Sequence, residues 1–156
     1  MPGKLKREIR HKTPFRSPEV EAFLNLLRTA DALHRQVDAL FKPYKITGVQ
    51  YNVLRVLQDA GDAGRSCSEI SRRMIEQHPD VTRLLDRMEK AKLIERYRQQ
   101  NDRRTVLARM TPKAVSILKS LEEPVYTMHV RQFSSLAKDE LREFIKILET
   151  LREKVV

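Results

Sequence analysis

The sequence contains one cysteine, four glycines and no long apolar run. The single cysteine, Cys67, excludes an intrachain disulfide and gives no reason to place the chain outside the cytoplasm. No apolar stretch approaches the roughly 18 residues that a membrane-spanning helix needs. The N-terminal residues MPGKLKREIRHK are basic, but the apolar core of a secretory signal does not follow them. We therefore expect a cytoplasmic protein without a membrane partner.

The usual catalytic patterns are also absent. The four histidines, His11, His34, His78 and His129, are scattered along the chain. There is no HExxH pair, no paired cysteine motif and no glycine-rich phosphate loop. The sequence therefore predicts neither an enzyme nor a metal or cofactor site.

Positive charge is abundant and unevenly distributed. The net charge is +10, and residues 1–18 hold six Lys/Arg against one Glu. Residues 78–104 hold eight Lys/Arg against five acids, whereas residues 19–77 balance at eight against eight. Such a field attracts a phosphate backbone and makes binding salt-dependent. The alternative is a basic surface that serves only solubility.

Apolar residues three and four apart predict helices on both sides of a short β-region. Ser17-Pro18-Glu19 resembles a helix start, and Pro43 ends the long helix that follows it. Thr47 can cap a second helix, Ser66 or Ser68 can cap a third, and His78-Pro79-Asp80 opens a fourth with Pro79 in its first turn.

Two runs with strand character, Leu93–Tyr97 and Thr105–Met110, follow the fourth helix and are joined by about seven polar residues. Thr111-Pro112 then starts a fifth helix, and a break at Ser134-Ser135 precedes a sixth. The predicted fold is mainly α with a small β-wing. Residues 47–111 have the pattern of a winged helix-turn-helix lobe.

The outer helices carry apolar stripes with little central domain to cover. Amphipathic helices of this kind are marginal in water on their own, so they must pack against each other or against a second copy. We expect residues 1–18 to form a basic N-terminal arm and residues 19–156 a single domain. Within it, 19–44 and 112–156 would be dimerisation helices around the lobe.

A set of residues in the central and flanking segments follows a known family pattern in the right order. The set consists of Ile46-Thr47, Gln50, Val53-Leu54, Leu57, Ser68-Glu69-Ile70, Val81–Glu89, Leu93–Arg96, Asp102-Arg103-Arg104 and Met110-Thr111. On these residues the chain resembles the MarR family of bacterial transcriptional regulators over most of its length. Two residues depart from the family pattern, because Lys92 and Ala114 stand where glycine is usual. Without glycine at position 92, a left-handed end of the fourth helix is costlier.

The resemblance implies a dimer that binds an inverted-repeat operator through a recognition helix at 78–92 and a wing at 93–110. If Val81, Leu84, Leu85 and Met88 face the core, the other side of that helix faces outward. The outward residues are Thr82, Arg83, Asp86, Arg87 and Lys90. Arg83 and Arg87 share a face and could reach guanine edges or phosphates, and Asp86 could orient an arginine. The alternative is a solvated charged face.

Further DNA contacts are predicted around the recognition helix. Arg103 or Arg104 would enter the minor groove, where narrowing deepens the negative potential. The family resemblance assigns Asp102 to fixing the wing. The predicted phosphate contacts from the third helix are Ser66, Ser68, Arg72 and Arg73, with capping and ordinary surface roles as the alternative. The N-terminal arm could add phosphate contacts, cross to the partner subunit or be a disordered tail.

The residues indicate a regulatory ligand site less clearly than they indicate the DNA contacts. The family often senses small aromatic ligands in a cleft between the dimer helices and the DNA lobe, and His34, Phe41, Tyr44 and Tyr51 could line one here. The alternative is that they are core residues, as aromatic residues at helical spacing more often are. Cys67 could be a redox switch near a helix N-terminus, or a small buried hydrophobe.

The predicted function is that of a dimeric, DNA-binding transcriptional repressor relieved by a small-molecule ligand. The alternative is a winged-helix module that binds protein and has lost sequence-specific DNA binding. The arginines at positions 83, 87, 103 and 104 argue against that alternative.

Overall fold

The computed structural model describes residues 4–77, 79–99 and 104–154. The chain divides into two compact units, Met1–Gly48 and Val49–Val156. The predicted boundary between arm and domain at residue 18 does not coincide with this division and stays a prediction.

The first unit holds a short helix and a long one. The helices are α1 (Lys4–Glu8) and α2 (Pro18–Phe41), and a 3-10 turn (Lys42–Tyr44) follows α2. Pro18 occupies the first turn of α2, as the sequence predicts, because a proline there loses no hydrogen bond. Lys45 ends the 3-10 turn in the left-handed conformation, with φ 55°. The helix α1 was not predicted, since five residues give almost no periodic signal.

The second unit contains five helices and a small sheet in its described residues. These elements are α3 (Gly48–Gln58), β1 (Arg65–Ser66), α4 (Cys67–Arg73), α5 (Val81–Lys90), β2 (Ile94–Arg98), β3 (Val106–Met110), α6 (Pro112–Gln132) and α7 (Lys138–Glu153). A 3-10 turn (Gly61–Ala63) separates α3 from β1. The mainly α fold with a small β-wing is confirmed.

The sheet has three antiparallel strands rather than the two predicted. Its order is β1-β3-β2, with Ile94 opposite Met110 and Arg98 opposite Val106. On the other edge, Ser66 lies opposite Leu107. Ser66 is also the N-cap of α4, so one residue ends the strand and begins the helix.

The core of the second unit follows the predicted apolar stripes. Its most buried side chains include Val53, Leu54, Leu57, Ile70, Met88, Leu93, Ile94 and Leu121. Thr111 caps α6 by accepting a hydrogen bond from the Ala114 amide, which confirms the predicted start of that helix. Ala114 is fully buried.

The recognition helix is shorter than the predicted span 78–92. It begins at Val81, because the Asp80 side chain accepts a hydrogen bond from the Arg83 amide at 3.0 Å and so acts as the N-cap. The placement of Pro79 in the first turn was therefore wrong, since Pro79 precedes the cap. His78 lies outside the described residues.

The far end of α5 closes with Lys92 in the left-handed conformation, at φ 58°. The Lys92 amide donates to Glu89 O at 2.9 Å and the Leu93 amide donates to Met88 O at 2.9 Å. This is a Schellman motif, which usually has glycine at the left-handed position. The helix therefore ends with the geometry of a glycine-capped helix. Because lysine has a Cβ, the left-handed backbone at Lys92 is less favourable than it would be for glycine.

Candidate nucleic-acid interface

Helix α5 presents a polar face opposite its buried one. Thr82, Arg83 and Arg87 are exposed, whereas Val81, Leu84, Leu85 and Met88 are buried. The Arg83 side chain is 84% exposed, and its Nε lies 3.1 Å from Asp80 Oδ2. Arg83 and Arg87 are separated by about one helical turn, so their guanidinium groups project from the same side of α5. This spacing suits contacts with base edges or phosphates in a major groove.

Asp86 pairs with an arginine, as predicted for a supporting residue. The arginine is Arg96 of β2 and not one of the arginines on α5. Arg96 of β2 donates through Nη2 to Asp86 Oδ1 at 2.6 Å. It also donates through Nε and Nη2 to Glu89 Oε2, at 2.9 and 2.6 Å. The Arg96 amide donates to Glu89 Oε1 at 3.3 Å. These contacts fix α5 to the first strand of the wing.

The electrostatics of this cluster agree with its geometry. The hydrogen bond from Arg96 lowers the pKa of Glu89, and the two carboxylates raise the pKa of Arg96. Both shifts favour the charged forms of Glu89 and Arg96. Neither Arg96 nor Glu89 was among the predicted site residues. The available signal was the i, i+3 spacing of Asp86 and Glu89, which puts two acids on one side of a helix.

The N-terminus of α4 is closed by a capping box. Ser66 Oγ accepts from the Glu69 amide at 3.3 Å and donates to Glu69 Oε2 at 3.0 Å, while the Ser66 amide donates to the same carboxylate oxygen at 3.0 Å. The bonds from Ser66, its amide first, lower the pKa of Glu69. The Ser66 hydroxyl thus has a capping role, whereas Ser68, Arg72 and Arg73 are exposed.

Cys67 connects α4 to the recognition helix. Its Sγ lies 3.7 Å from Thr82 Oγ1, within hydrogen-bonding distance for sulfur. Cys67 is partly exposed, so it is not the fully buried hydrophobe that was the simpler alternative. The contact places Thr82, a predicted DNA-facing residue, against the start of α4.

The base of the wing is held by Tyr97 and Gly64. The Tyr97 hydroxyl donates to Ala63 O at 2.7 Å. Gly64 has φ 63° and ψ −173°, and a Cβ at this position would lie 2.6 Å from Ala108 O. Only glycine fits both the backbone conformation and the space.

An arginine on β3 covers the same tyrosine. The guanidinium of Arg109 lies 5.0 Å from the Tyr97 ring centroid, and its Nε donates to Glu95 Oε1 at 2.7 Å. The bond to Glu95 raises the pKa of Arg109. At the tip of the wing, Arg104 is exposed. Asp102 and Arg103 lie outside the described residues.

The four predicted cleft residues differ in exposure. Phe41 is buried, with 1% of its surface exposed, while Tyr44 and Tyr51 are half-buried and His34 is exposed. Phe41 therefore fits the core alternative. No His, Cys, Asp or Glu cluster in the described part of the chain is arranged to hold a metal. None of the described helices combines the length and apolar character needed to cross a bilayer.

Comparison with known proteins identifies the family. The model of the MarR family matches residues 44–105. The chain is 31% identical to the HTH-type transcriptional regulator MgrA of Staphylococcus aureus over 109 residues, which cover 70% of this chain and 71% of that protein. It is 26% identical to the regulator FarR of Neisseria gonorrhoeae over 145 residues, covering 88% of this chain and 98% of the relative.

A solved structure that resembles this chain is likewise a transcription factor. The MarR transcription factor from Planctomyces limnophilus is 37% identical and superposes with a TM-score of 0.64, covering 87% of this chain and 98% of that one. The chain therefore belongs to the MarR family, whose members are transcription regulators rather than enzymes.

Proposed function

We propose that the chain is a dimeric repressor that binds an inverted-repeat DNA operator through α5 and the wing. The observation that carries this proposal is the two-sided nature of α5. One side is buried, the opposite side presents Thr82, Arg83 and Arg87 to solvent, and the part-exposed Asp86 and Glu89 join the helix to β2 through Arg96. A helix held rigidly with cationic side chains outward can enter a major groove without first being ordered.

Arg83 and Arg87 are proposed as the main contacts to base edges. Arginine can donate two hydrogen bonds to a guanine, and this is the commonest specific contact in the major groove. Asp80 lies beside Arg83 and Asp86 is engaged by Arg96. In the proposal Asp86 therefore positions the helix and does not face DNA.

The wing is proposed to contact the adjacent minor groove. Strands β2 and β3 lead to the polar connection that contains Asp102, Arg103 and Arg104. An arginine inserted there benefits from the negative potential of a narrow groove. Ser68, Arg72 and Arg73 of α4 are proposed as phosphate contacts beside it, with Ser66 contributing mainly as the cap.

Dimerisation is supported by apolar side chains that remain exposed in one copy. On α2, Phe23 is 60% exposed and Leu27 is 51% exposed. On α7 none of the described residues is buried, and Ile147 and Leu151 are more than half exposed. A 16-residue helix without buried side chains is marginal in water. A second copy would cover these surfaces, and its two-fold symmetry would require an inverted repeat.

We further propose that a small aromatic molecule relieves DNA binding. His34, Tyr44 and Tyr51 are the proposed contacts, because their side chains keep some exposure. Phe41 is buried and would only support such a site. The proposed location is the cytoplasm, where the DNA is found.

Selection of bound fragments from the source genome tests the main proposal. The expected result is a short inverted repeat, bound by two copies of the chain as measured by sedimentation of the complex. Arg83→Ala/Arg87→Ala should abolish the selection, whereas Arg55→Ala on the exposed face of α3 should not. Recovery of fragments without a common sequence would favour the protein-interaction alternative. A reporter placed behind the selected operator should be expressed less when the chain is present.

A further inference from the structure

Residues 4–16 form a folded basic arm rather than a free tail. The helix α1 contains Leu5, which is only 3% exposed. The helix ends in a second Schellman motif, in which the Arg10 amide donates to Arg7 O at 3.2 Å and the His11 amide donates to Lys6 O at 3.0 Å. Arg10 takes the left-handed conformation, with φ 53°.

The second half of the arm is held by its aromatic residues. The His11 ring stacks on Phe15 with centroids 5.1 Å apart, and His11 Nδ1 lies 2.7 Å from Thr13 O. Phe15 is half-buried. The arm therefore keeps a defined conformation before any partner binds, and little entropy remains to be lost on binding.

Most of the exposed charged side chains of the arm are cationic. The single acid, Glu8, already lies near Lys4 and Arg28, at 3.6 and 4.0 Å. The other exposed cations form no ion pair with any residue that the structure describes. They are Arg7, Arg10, Lys12 and Arg16.

We propose that this arm is a second DNA-contact surface, which binds phosphates of the duplex outside the segment read by α5 and the wing. The inference rests on the proposed function, because it assigns the arm to the same DNA. Cations attract the phosphate backbone irrespective of base sequence and release condensed counterions on contact. The arm would therefore add affinity and salt dependence without adding base preference.

Duplex DNA fits the arm better than other polyanions. Single-stranded nucleic acid is bound by aromatic platforms, but the aromatic rings of the arm stack on each other. An anionic membrane is bound by helices with an exposed apolar face, but Leu5 is buried and Ile9 is 39% exposed. One exposed ring, His11, and one large exposed aliphatic side chain, Ile9, are fewer than a stacking platform or a membrane-binding face needs, whereas five exposed cations suit the phosphates of a duplex.

The test compares three proteins on two DNA probes. The arm variant is Arg7→Gln/Lys12→Gln/Arg16→Gln, which keeps Arg10 because of its left-handed backbone. The control, Lys42→Gln/Lys45→Gln/Arg55→Gln, removes the same charge from exposed positions that follow α2 and lie on α3, outside the proposed DNA contacts and the apolar dimer surfaces. The probes are the selected operator alone and the operator with a further helical turn of arbitrary sequence on each side. Circular dichroism establishes that all three proteins are equally folded.

The wild-type chain and the control should bind the long probe about tenfold more tightly than the short probe at low salt. The arm variant should bind both equally, and its plot of log K against log salt on the long probe should be less steep by roughly 2 to 3 per protomer. If the arm variant keeps the wild-type preference for the long probe, the arm proposal is overturned and the operator contact by α5 is unaffected. If none of the three proteins selects an operator, the proposed function itself fails. The same three proteins are also measured on single-stranded RNA and on anionic vesicles. If the arm variant loses binding only to one of these, the arm proposal is likewise overturned.

Discussion

Arg96 donates to Asp86 at 2.6 Å and thereby ties the first strand of the wing to the recognition helix. Its other hydrogen bonds go to Glu89, one helical turn further along α5. A cation shared between two acids three residues apart constrains the rotation of the helix as well as its position. Arg96 is therefore a positioning residue for the proposed DNA contacts, although it does not face DNA itself.

Replacement of Arg96 should weaken both stability and DNA binding. Arg96→Ala removes charge-assisted bonds from a side chain that is 27% exposed, and we expect a loss of about 1–3 kcal/mol in the free energy of unfolding. Urea unfolding measures this loss. Operator affinity at a temperature where the variant is fully folded should also fall, and Arg96→Lys should restore part of it. Lys90→Ala, at an exposed position of α5, serves as the control for stability. Unaltered affinity in folded Arg96→Ala would contradict the positioning role.

The same cluster predicts a pH dependence of stability. Because the pKa of Glu89 is lowered in the folded state, its contribution is complete above the ordinary glutamate value of 4.5 and is lost as the pH falls through the folded value. The melting temperature of the wild-type chain should therefore exceed that of Glu89→Gln at pH 7 and at pH 5.5. The difference should narrow below about pH 4.5. A constant difference down to pH 3 would show that the carboxylate charge contributes nothing.

Arg83 and Arg104 should have distinguishable effects on DNA binding. Arg83→Ala should cost about 1–3 kcal/mol on the preferred operator and relax the preference for one base pair. Arg104→Ala should weaken binding to specific and nonspecific duplex alike and reduce the salt slope by about 1. Fluorescence anisotropy with matched and single-substituted operators, over a salt titration, measures both effects. The assignment is wrong if Arg104→Ala leaves affinity and slope unchanged.

The left-handed Lys92 offers a stabilising substitution. A non-glycine residue at positive φ costs about 1 kcal/mol or more, so Lys92→Gly should unfold at higher urea concentration than Lys92→Ala. Comparison with alanine removes the effect of the lysine charge near the helix C-terminus. At Lys90, inside the last turn of α5, the order should reverse, with glycine less stable than alanine by about 0.5–1 kcal/mol. The same order at both positions would contradict the conformational explanation.

Gly64 and Gly61 allow the steric contact at the base of the wing to be separated from the cost of a positive φ. Both have positive φ, but a Cβ at Gly61 meets nothing within 4 Å, whereas one at Gly64 meets Ala108 O. Gly61→Ala should cost about 1 kcal/mol from the backbone alone. Gly64→Ala should cost more than about 2 kcal/mol, since β3 must also shift. Thermal unfolding of the two variants measures the difference, and equal losses would argue against the close contact.

The parts of the fold that could be predicted are those marked by residues close together in the sequence. The start of α6 at Thr111-Pro112 and the inward face of α5 follow from a cap, a proline and an apolar stripe, all readable within one or two turns. The start of α5 was misplaced because a proline is equally acceptable before the cap and after it, and the Asp80 side chain decides between them. The left-handed end of α5 was in doubt because the sequence has lysine where the motif favours glycine.

Long-range relationships were not predictable from the sequence. The strand β1 has two residues and no alternation, and it exists only because β3 pairs with it. The bonds from Arg96 to Asp86 and Glu89 join residues ten and seven apart across a helix end, where no periodicity applies. The exposed residues of the proposed DNA contact and the supporting role of Asp86 could be named, but the partner Arg96 and the second acid, Glu89, could not.

Ser66 belongs both to the sheet and to the start of α4, so no flexible connection separates the wing from the helix-turn-helix at this point. Ser66 pairs with Leu107 in the sheet and caps α4. A displacement of the sheet at this edge would therefore also displace the N-terminus of α4. On the opposite edge, Arg96 couples the sheet to α5 in the same way. The two attachments therefore couple the wing to the helix-turn-helix at both edges of the sheet. If the proposed function holds, a signal that releases the chain from DNA would have to reorient the whole lobe, because folding back the wing alone would break both attachments.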